Sequence, residues 1–298
     1  MLINNYNNMS IRELLKMMEM GVGSFFSNFG GMCVSILRIC ALSSVAVARQ
    51  SKKYSSYKGS SICYVLGNGP SLKEVLKNGG IERNEGDLFC VNMFCSSEYF
   101  LSLHPRFYLL CDGQYFNPTT ERTKGQVKEL IRTFNKIDWS LFLIVPPMAN
   151  DDCELLKGIT NPKVCVLRNN SAEVDGFRWF RHFIYKHRMG MPRCQTVINY
   201  ALMTAINMEY KIILLYGADH SWSKDMWVGE DNKLYTGDPH LYKNEADIIV
   251  LNHDIASECY DLARAFETHK KIRLYADSHG ARVINKTKGS FIDAYDRR

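Results

Sequence analysis

The chain lacks most of the marks that place a protein in a class at sight. It has no Lys/Arg run of the kind that forms a nucleic-acid-binding tail, although its formal charge is +6, so nucleic acid is not an expected partner. Ten cysteines occur without one Cys-x-x-Cys pair or His-x-x-x-His partner, which argues against structural zinc and for a reducing cytoplasm. Cys63, Cys90, Cys111 and Cys165 lie instead in apolar, strand-like runs, where a free thiol serves as a small core residue. The first turn carries no basic n-region and the apolar part begins late, so a secretory signal peptide is not expected. A clean membrane span is also missing: Gly21 to Leu37 is uncharged but near the lower length limit and weakened by glycine and serine, and Arg38 follows.

What is present is an ordinary globular composition. The 298 residues are 46% hydrophobic and 23% charged, enough for one large domain or two small ones. The modest positive excess suits an anionic small molecule or an anionic membrane surface.

The most informative stretch is Ile62-Cys-Tyr-Val-Leu-Gly-Asn-Gly-Pro-Ser-Leu-Lys-Glu74. Ile62 to Leu66 has the length and composition of a buried parallel strand. Gly67 and Gly69 allow a sharp turn and close approach of backbone to a ligand. Ser71 and Glu74 fit a capping box opening a helix, whose free amides and dipole would then favour an anion such as a phosphate. Leu72 stands where a dinucleotide fingerprint needs its third glycine, and no Gly-Lys-Ser/Thr follows, so neither the NAD pattern nor the ATPase P-loop applies.

The first sixty residues differ in texture. Ser10 to Met20 reads as an amphipathic helix with a Ser10/Glu13 box, and Gly21 to Ala48 is apolar. A membrane-surface anchor is the first expectation for this extension, ahead of a helical hairpin packed on the domain and of a true span. Ser51 to Ser61 reads as a linker, so the division expected is a helical extension over 1–60 and a nucleotide-binding domain over 61–298.

In the body, strands are expected at 87–92, 107–112, 141–145, 164–167 and 211–216, a helix at 196–208, a long helix at 249–266 and a last strand at 272–275. This alternation predicts an α/β fold: a single Rossmann-like, mostly parallel sheet with helices on both faces. Ligands bind beyond the carboxyl ends of such strands, where Asn68, Asn92, Asp112, Arg168 and Asp219 fall. Residues 169–192 and 222–247 show no strand period and read as lids.

The blocks Val65-Leu-Gly-Asn-Gly-Pro-Ser-Leu-Lys73, Cys90-Val-Asn-Met-Phe94, Pro192-Arg-Cys-Gln-Thr-Val197 and Tyr210-Lys-Ile-Ile-Leu-Leu-Tyr-Gly-Ala-Asp219 resemble the bacterial sialyltransferases of glycosyltransferase family 42. They also resemble a wider group described as 6-hydroxymethylpterin diphosphokinase-like, or domain of unknown function 115. The resemblance spans roughly residues 62–277 and implies a sialyltransferase variant of the GT-A type. Gly67, Asn68, Gly69, Ser71 and Asn92 would then hold the nucleotide of a CMP-sugar, joined by Gln195, Thr196, Gly217 and Asp219. Tyr235 and Tyr242 resemble lid tyrosines that touch the departing phosphate. His253 sits near the place of the family's general base, with His220 and His240 as competitors, and Arg193 would help the leaving phosphate.

Asp112 departs from the family, which has asparagine there. A carboxylate at that point repels a sialyl carboxylate or binds a divalent metal.

Three functions follow. The first is a transferase that moves a sialic-acid-like sugar onto a surface glycan, lipid-linked or free, at the inner membrane surface reached through residues 1–50, with no cofactor beyond its donor and with self-association possible. The second is a magnesium-dependent pyrophosphokinase. The third is a binding or scaffolding protein that keeps the pocket without chemistry.

Overall fold

The computed structural model of the protein describes residues 11–81, 86–238, 241 and 247–298. In chain order, helices α1 (Ile11–Leu42) and α2 (Val45–Ser51) and a 3-10 turn precede strand β1 (Ile62–Leu66) and helix α3 (Leu72–Lys77). Then come β2 (Asp87–Val91), α4 (Phe100–Leu103), β3 (Phe107–Leu109), α5 (Glu121–Phe134), β4 (Leu141–Val145), α6 (Glu154–Gly158) and β5 (Val164–Arg168). The second half holds α7 (Arg178–Lys186), α8 (Val197–Asn207), β6 (Ile212–Tyr216), β7 (Met226–Val228), β8 (Leu234–Asp238), β9 (Asp247–Leu251), α9 (Ile255–Ser278) and β10 (Arg282–Asn285).

Seven strands form one parallel sheet in the order β10-β6-β1-β2-β3-β4-β5. The fold is therefore α/β with a Rossmann-like parallel sheet, and the order reverses between β1 and β6. Both faces of the sheet are covered, which is why its strands read as continuous apolar runs. Alternate residues feed opposite cores: Cys63, Val65, Phe89, Val91, Phe107 and Leu109 pack toward α8 and α9, while Tyr64, Leu66, Leu88, Cys90 and Tyr108 pack toward α5. Burying each large apolar side chain contributes about 1.5–3 kcal/mol. Every residue of α8 is buried, so its polar members are paired: Asn169 Nδ2 donates to Thr204 Oγ1 at 3.0 Å and Tyr275 Oη to Asn207 Oδ1 at 2.9 Å.

Several expectations are corrected. The stretch expected as a linker is folded: Tyr54 is 1% exposed and its hydroxyl donates to Arg168 O at 2.7 Å. Residues 249–266 are not one helix. Asp247–Leu251 pairs antiparallel with β8, and Asp254 starts α9 by accepting the Ser257 amide at 2.7 Å.

The apolar run 272–275 is not a strand but continues the helical stripe Ala265, His269, Ile272 and Tyr275 of α9, which ends before Gly280 at φ +64°. The last strand is β10. The cover at 222–247 supplies β7 and β8 of a three-stranded antiparallel sheet, β7-β8-β9. Cys63 and Cys90 are buried, but Cys165, on edge strand β5, is exposed.

α1 is one continuous helix of 32 residues, and its stretch Gly21–Leu42 is long and apolar enough to cross a membrane, with a mean hydropathy of 1.5.

Candidate functional site

At the carboxyl ends of β1, β2 and β6 a cavity of about 240 Å³ opens where the strand order reverses, the position at which open parallel sheets take ligands. Asn68, Gly69, Asn92, Asp112, Gln195, Thr196, Gly217, Asp219 and His220 line it, together with Trp222 and Asp225. The structure thus gathers most of the residues singled out from sequence around one space. Gly67, Ser71, Arg193, Tyr235 and His253 do not line it, and His240 and Tyr242 lie outside the described residues. Arg168 is held at the end of β5 by Asp151 at 2.6 Å.

The glycine turn is built differently from the expected amide cradle. The Gly67 amide donates to Tyr216 O at 2.8 Å and the Gly69 amide to Gly217 O at 2.9 Å, so both are already engaged by the end of β6. Close backbone packing explains the glycines. A Cβ on Gly67 would stand 2.3 Å from Gly217 O, and one on Gly69 would stand 1.8 Å from Asp219 Oδ2.

The Ser71/Glu74 box is not formed. Ser71 is already in helical conformation, and its Oγ donates to Asp219 Oδ2 at 2.8 Å. Its backbone amide supports the same carboxylate. The start of α3 therefore holds an internal anion, Asp219, in the place where a phosphate was expected.

Around this turn the cavity presents acceptors. Asn68 Nδ2 donates to Val91 O at 3.1 Å and Asn92 Nδ2 to Asp112 Oδ2 at 3.1 Å, which fixes the orientation of both carboxamides. Their Oδ1 atoms are buried without a hydrogen-bond partner. Leaving such an oxygen unpaired costs about 1–3 kcal/mol, so a small turn of either side chain toward a ligand donor is favoured.

Asn92 is held in this arrangement despite a φ of +47°, because Tyr108 Oη donates to its carbonyl at 2.5 Å and accepts the Cys95 amide at 2.9 Å. Burial raises the Asp112 carboxyl above its usual range, against the pull of hydrogen bonds from Cys111 and Asn92. Asp219 is raised for the same reason, against the Ser71 bonds.

His220 is the one described candidate histidine in the cavity wall. It is 6% exposed, has a φ of +50° and packs at a tilt against Trp222, ring centres 4.4 Å apart. Burial pushes its pKa down to about 3, so its ring is neutral at ordinary pH. Behind it lies a network that sequence reasoning missed. His220 Nε2 is 3.2 Å from His269 Nε2, and His269 Nδ1 is 3.0 Å from Tyr295 Oη. Asn199 Nδ2 stands within 3.3 Å of the His269 ring, while its Oδ1 accepts from the amide and hydroxyl of Thr196, each at 3.2 Å. Two cavity residues, His220 and Thr196, are thus tied together beneath the floor. His269 could have been found as a lone polar residue on the apolar stripe of α9; nothing local marks Asn199 or Tyr295.

Two further cavities adjoin the first. One of about 220 Å³ shares Gln195, Thr196 and Trp222 with it and is also lined by Glu258, Asp261 and residues of the antiparallel cover. His253, at the start of α9, places Nε2 2.6 Å from Glu258 Oε2. The other, of about 720 Å³, shares Asp112 and lies between the end of α1 and the sheet, lined also by Arg38, Glu173 and Arg193. Arg193 Nε donates to Gln195 Oε1 at 2.6 Å, which links the larger cavity to the first. Tyr235 stacks on Trp227 at 5.5 Å and donates to Asp231 at 3.0 Å, away from all three. Leu241 N donates to Asn68 O at 2.8 Å, so the cover is fastened to the glycine turn itself.

No family model matches the chain, and no curated protein matches it. Among solved structures the chain is similar to the MAf glycosyltransferase from Magnetospirillum magneticum AMB-1, at 15% identity and a TM-score of 0.45. The likeness covers 84% of this chain and 38% of that one, so the chain spans well under half the length of this structural neighbour. A likeness this distant carries no chemistry, and the resemblance to family 42 rests on the quoted sequence blocks.

Proposed function

We propose that the protein is a glycosyltransferase that uses a nucleotide-sugar donor, of the CMP type implied by the family resemblance. One observation carries this reading: Asn68 and Asn92, whose buried Oδ1 oxygens have no partner, wall a cavity at the reversal of the sheet order. Those oxygens and the Asp112 carboxylate ask for hydroxyl and amino donors, which a ribose and an aminopyrimidine supply. The first cavity is smaller than the usual ligand pocket of about 300–1,000 Å³, so it takes part of the donor and the rest extends into a neighbouring space. Asp112 disfavours a sugar carboxylate against it, which leaves a neutral sugar, or a sialic acid turned with its carboxylate away.

The reaction is a direct displacement. The base accepts the acceptor hydroxyl proton, the acceptor oxygen bonds to the anomeric carbon, and the bond from that carbon to the phosphate oxygen breaks with its electron pair leaving on the nucleotide. His253 fits the base role because Glu258 steadies the imidazolium that forms. His220 holds its ring neutral and positions the donor by hydrogen bonding. Thr196 and Arg193 would stabilise the leaving phosphate, Arg193 from the neighbouring cavity.

The test is nucleotide release from CMP-sugars and other nucleotide sugars, with and without glycan acceptors. Release with a CMP-sugar, lowered at least about tenfold in Asn68→Ala and Asn92→Ala, supports the reading. No release with any nucleotide sugar removes it. His253→Ala and Glu258→Gln are expected to lower the turnover rate and spare donor binding. If Asp112→Asn does so instead, the base is Asp112.

A second reading, a magnesium-dependent pyrophosphokinase, is favoured by the two carboxylates, Asp112 and Asp219, in one cavity wall. Magnesium needs one or two carboxylates when substrate phosphates supply its other ligands, so these residues fit it. The ion would neutralise phosphate charge between the substrates. Activity with ATP that a chelator abolishes and magnesium restores identifies this reading.

A further inference from the structure

α1 is bound to the domain along one side, where Met32 and Ile39 pack on the core and polar contacts flank them. The Ser35 hydroxyl, fully buried, lies 2.7 Å from Gly31 O and 3.1 Å from Asp175 O and accepts the Asp175 amide at 2.8 Å. Arg38 pairs with Glu173 at 3.0 Å, and Ser43 Oγ donates to Met189 O at 2.6 Å. Gly31 faces Gly176 so closely that a Cβ on Gly176 would stand 2.8 Å from Met32 N. Only a narrow strip of the apolar stretch is covered by protein, with Ser35 its one buried residue. A spanning orientation would carry the Arg38–Glu173 pair and the Asp175 backbone into hydrocarbon.

The opposite side is apolar and open. Phe26 is 67% exposed and Leu37 70%, and Val22, Phe29, Val34 and Ile36 are also exposed. α7 continues this surface with Trp179, 66% exposed, and Phe183. Ring contacts join the two helices without a break: Phe29 to Phe25 at 6.4 Å, Phe25 to Phe177 at 5.5 Å, and Phe177 to Trp179 at 6.4 Å.

Beyond Glu19, positive charge predominates around the surface, and the acids at the α1 contact, Glu173 and Asp175, are paired with Arg38, Arg181 and Lys271. No Asp or Glu occurs between Met20 and Lys73, whereas Arg49, Lys52 and Lys53 are exposed there. From Arg178 to Arg188 there are four Lys or Arg and no acid, with Arg178 and Lys186 exposed. A second copy of the chain would bring the same cations to a two-fold contact, so it does not complement this face. An anionic bilayer surface does.

We propose that α1 and α7 form an in-plane platform that seats the protein on an anionic lipid bilayer. The aromatic and aliphatic side chains enter the headgroup boundary, and the flanking lysines and arginines meet lipid phosphates. The inference does not depend on the reaction catalysed, and its test uses no nucleotide.

The full chain is mixed with phosphatidylcholine vesicles, with or without phosphatidylglycerol, and floated on a density gradient, in which lipid-free aggregates sink. Flotation with phosphatidylglycerol, weakened by salt and by its omission, is expected, together with release by alkaline carbonate. Leu37→Glu and Trp179→Glu, both at exposed positions and checked for unchanged melting, are each expected to weaken flotation about tenfold or more. Trp227→Glu, an equally apolar exposed site on the antiparallel cover, is expected to leave it unchanged. The proposal is overturned if the chain does not float, if Leu37→Glu and Trp179→Glu float like the parent, or if carbonate fails to release it, which marks a span. Self-association lost in Leu37→Glu without any lipid binding overturns it as well.

Discussion

At the scale of single residues, the glycines of the first turn show how a motif can be right in place and different in purpose. Gly69 lies against Asp219, a carboxylate that Ser71 holds in position, so an added methyl meets an atom that cannot withdraw. Gly69→Ala is expected to destabilise the fold by about 1–3 kcal/mol and to disturb the cavity wall through Asp219. Gly125, in the middle of α5, has nothing within 4 Å of its would-be Cβ. Gly125→Ala is expected to stabilise by about 0.5–1 kcal/mol, since alanine is the better helix former and no contact opposes it. Denaturant titration of the two variants side by side checks the argument, and a Gly69→Ala protein as stable as the parent would refute it. The sequence shows where a glycine turn sits; whether its amides face a ligand or a neighbouring strand depends on β6, which lies about 150 residues away.

At the scale of elements, the legible parts were those with strong local pattern. β1 and β4 fall at the residues expected from their apolar runs, β2, β5 and β6 differ by one residue at one end, and α8 by one at each end. The parallel sheet follows from their alternation. α9 was misread because Ile-Arg-Leu-Tyr at 272–275 alternates like a strand, while the helical stripe that includes it becomes clear only over six turns. β9 was hidden for the complementary reason: its partner, β8, forms within a segment rich in Gly and Asp that carries no strand signal of its own. The candidate site was legible as a set of strand ends, but its floor of Asn199, His269 and Tyr295 depends on α8, α9 and the C-terminal residues meeting in space.

Asp87, at the start of β2, is the element-scale counterpart. It accepts the amides of Gly59 and Ser60 at 2.7 and 3.2 Å and the Tyr210 hydroxyl at 2.6 Å, fastening the segment before β1 and the segment before β6 to one carboxylate. Asp87→Asn turns one accepting oxygen into a donor facing donors. A loss of about 2–4 kcal/mol is expected, read in a melting curve, with the first sign being proteolytic cleavage between residues 52 and 61. Protection of that segment in the variant would rule the account out.

For the whole molecule, the buried histidines make stability depend on pH. Burial holds His220 at about 3 and His269 well below its ordinary value, and burial with the nearby Arg178 and Arg181 holds His182 at about 4. In the unfolded chain each ring titrates near 6.5. Between these limits the unfolded state binds protons that the folded state refuses, so stability falls as pH drops from about 6.5 toward 3, with a limiting slope of about 1.4 kcal/mol per pH unit for each of the buried rings, His220 and His269, and less for the half-exposed His182.

Asp112 and Asp219 act in the opposite sense. Their raised folded values mean that the native carboxyls take up protons first, which adds stability as pH falls toward about 4. The buried rings act together with carboxyls held low in the fold, among them Asp175 and Asp296, so the loss prevails, and the His220–His269 pair carries its most buried part. Melting temperature measured from pH 8 downward is therefore expected to hold level to about 6.5 and then decline. His269→Gln lowers the starting stability but flattens the decline, because one ring no longer has to be kept neutral. A melting temperature that stays level down to pH 5, or a variant whose decline is as steep as the parent's, would mean that the rings take up protons in the folded protein and that the floor of the cavity is wetter than its packing implies.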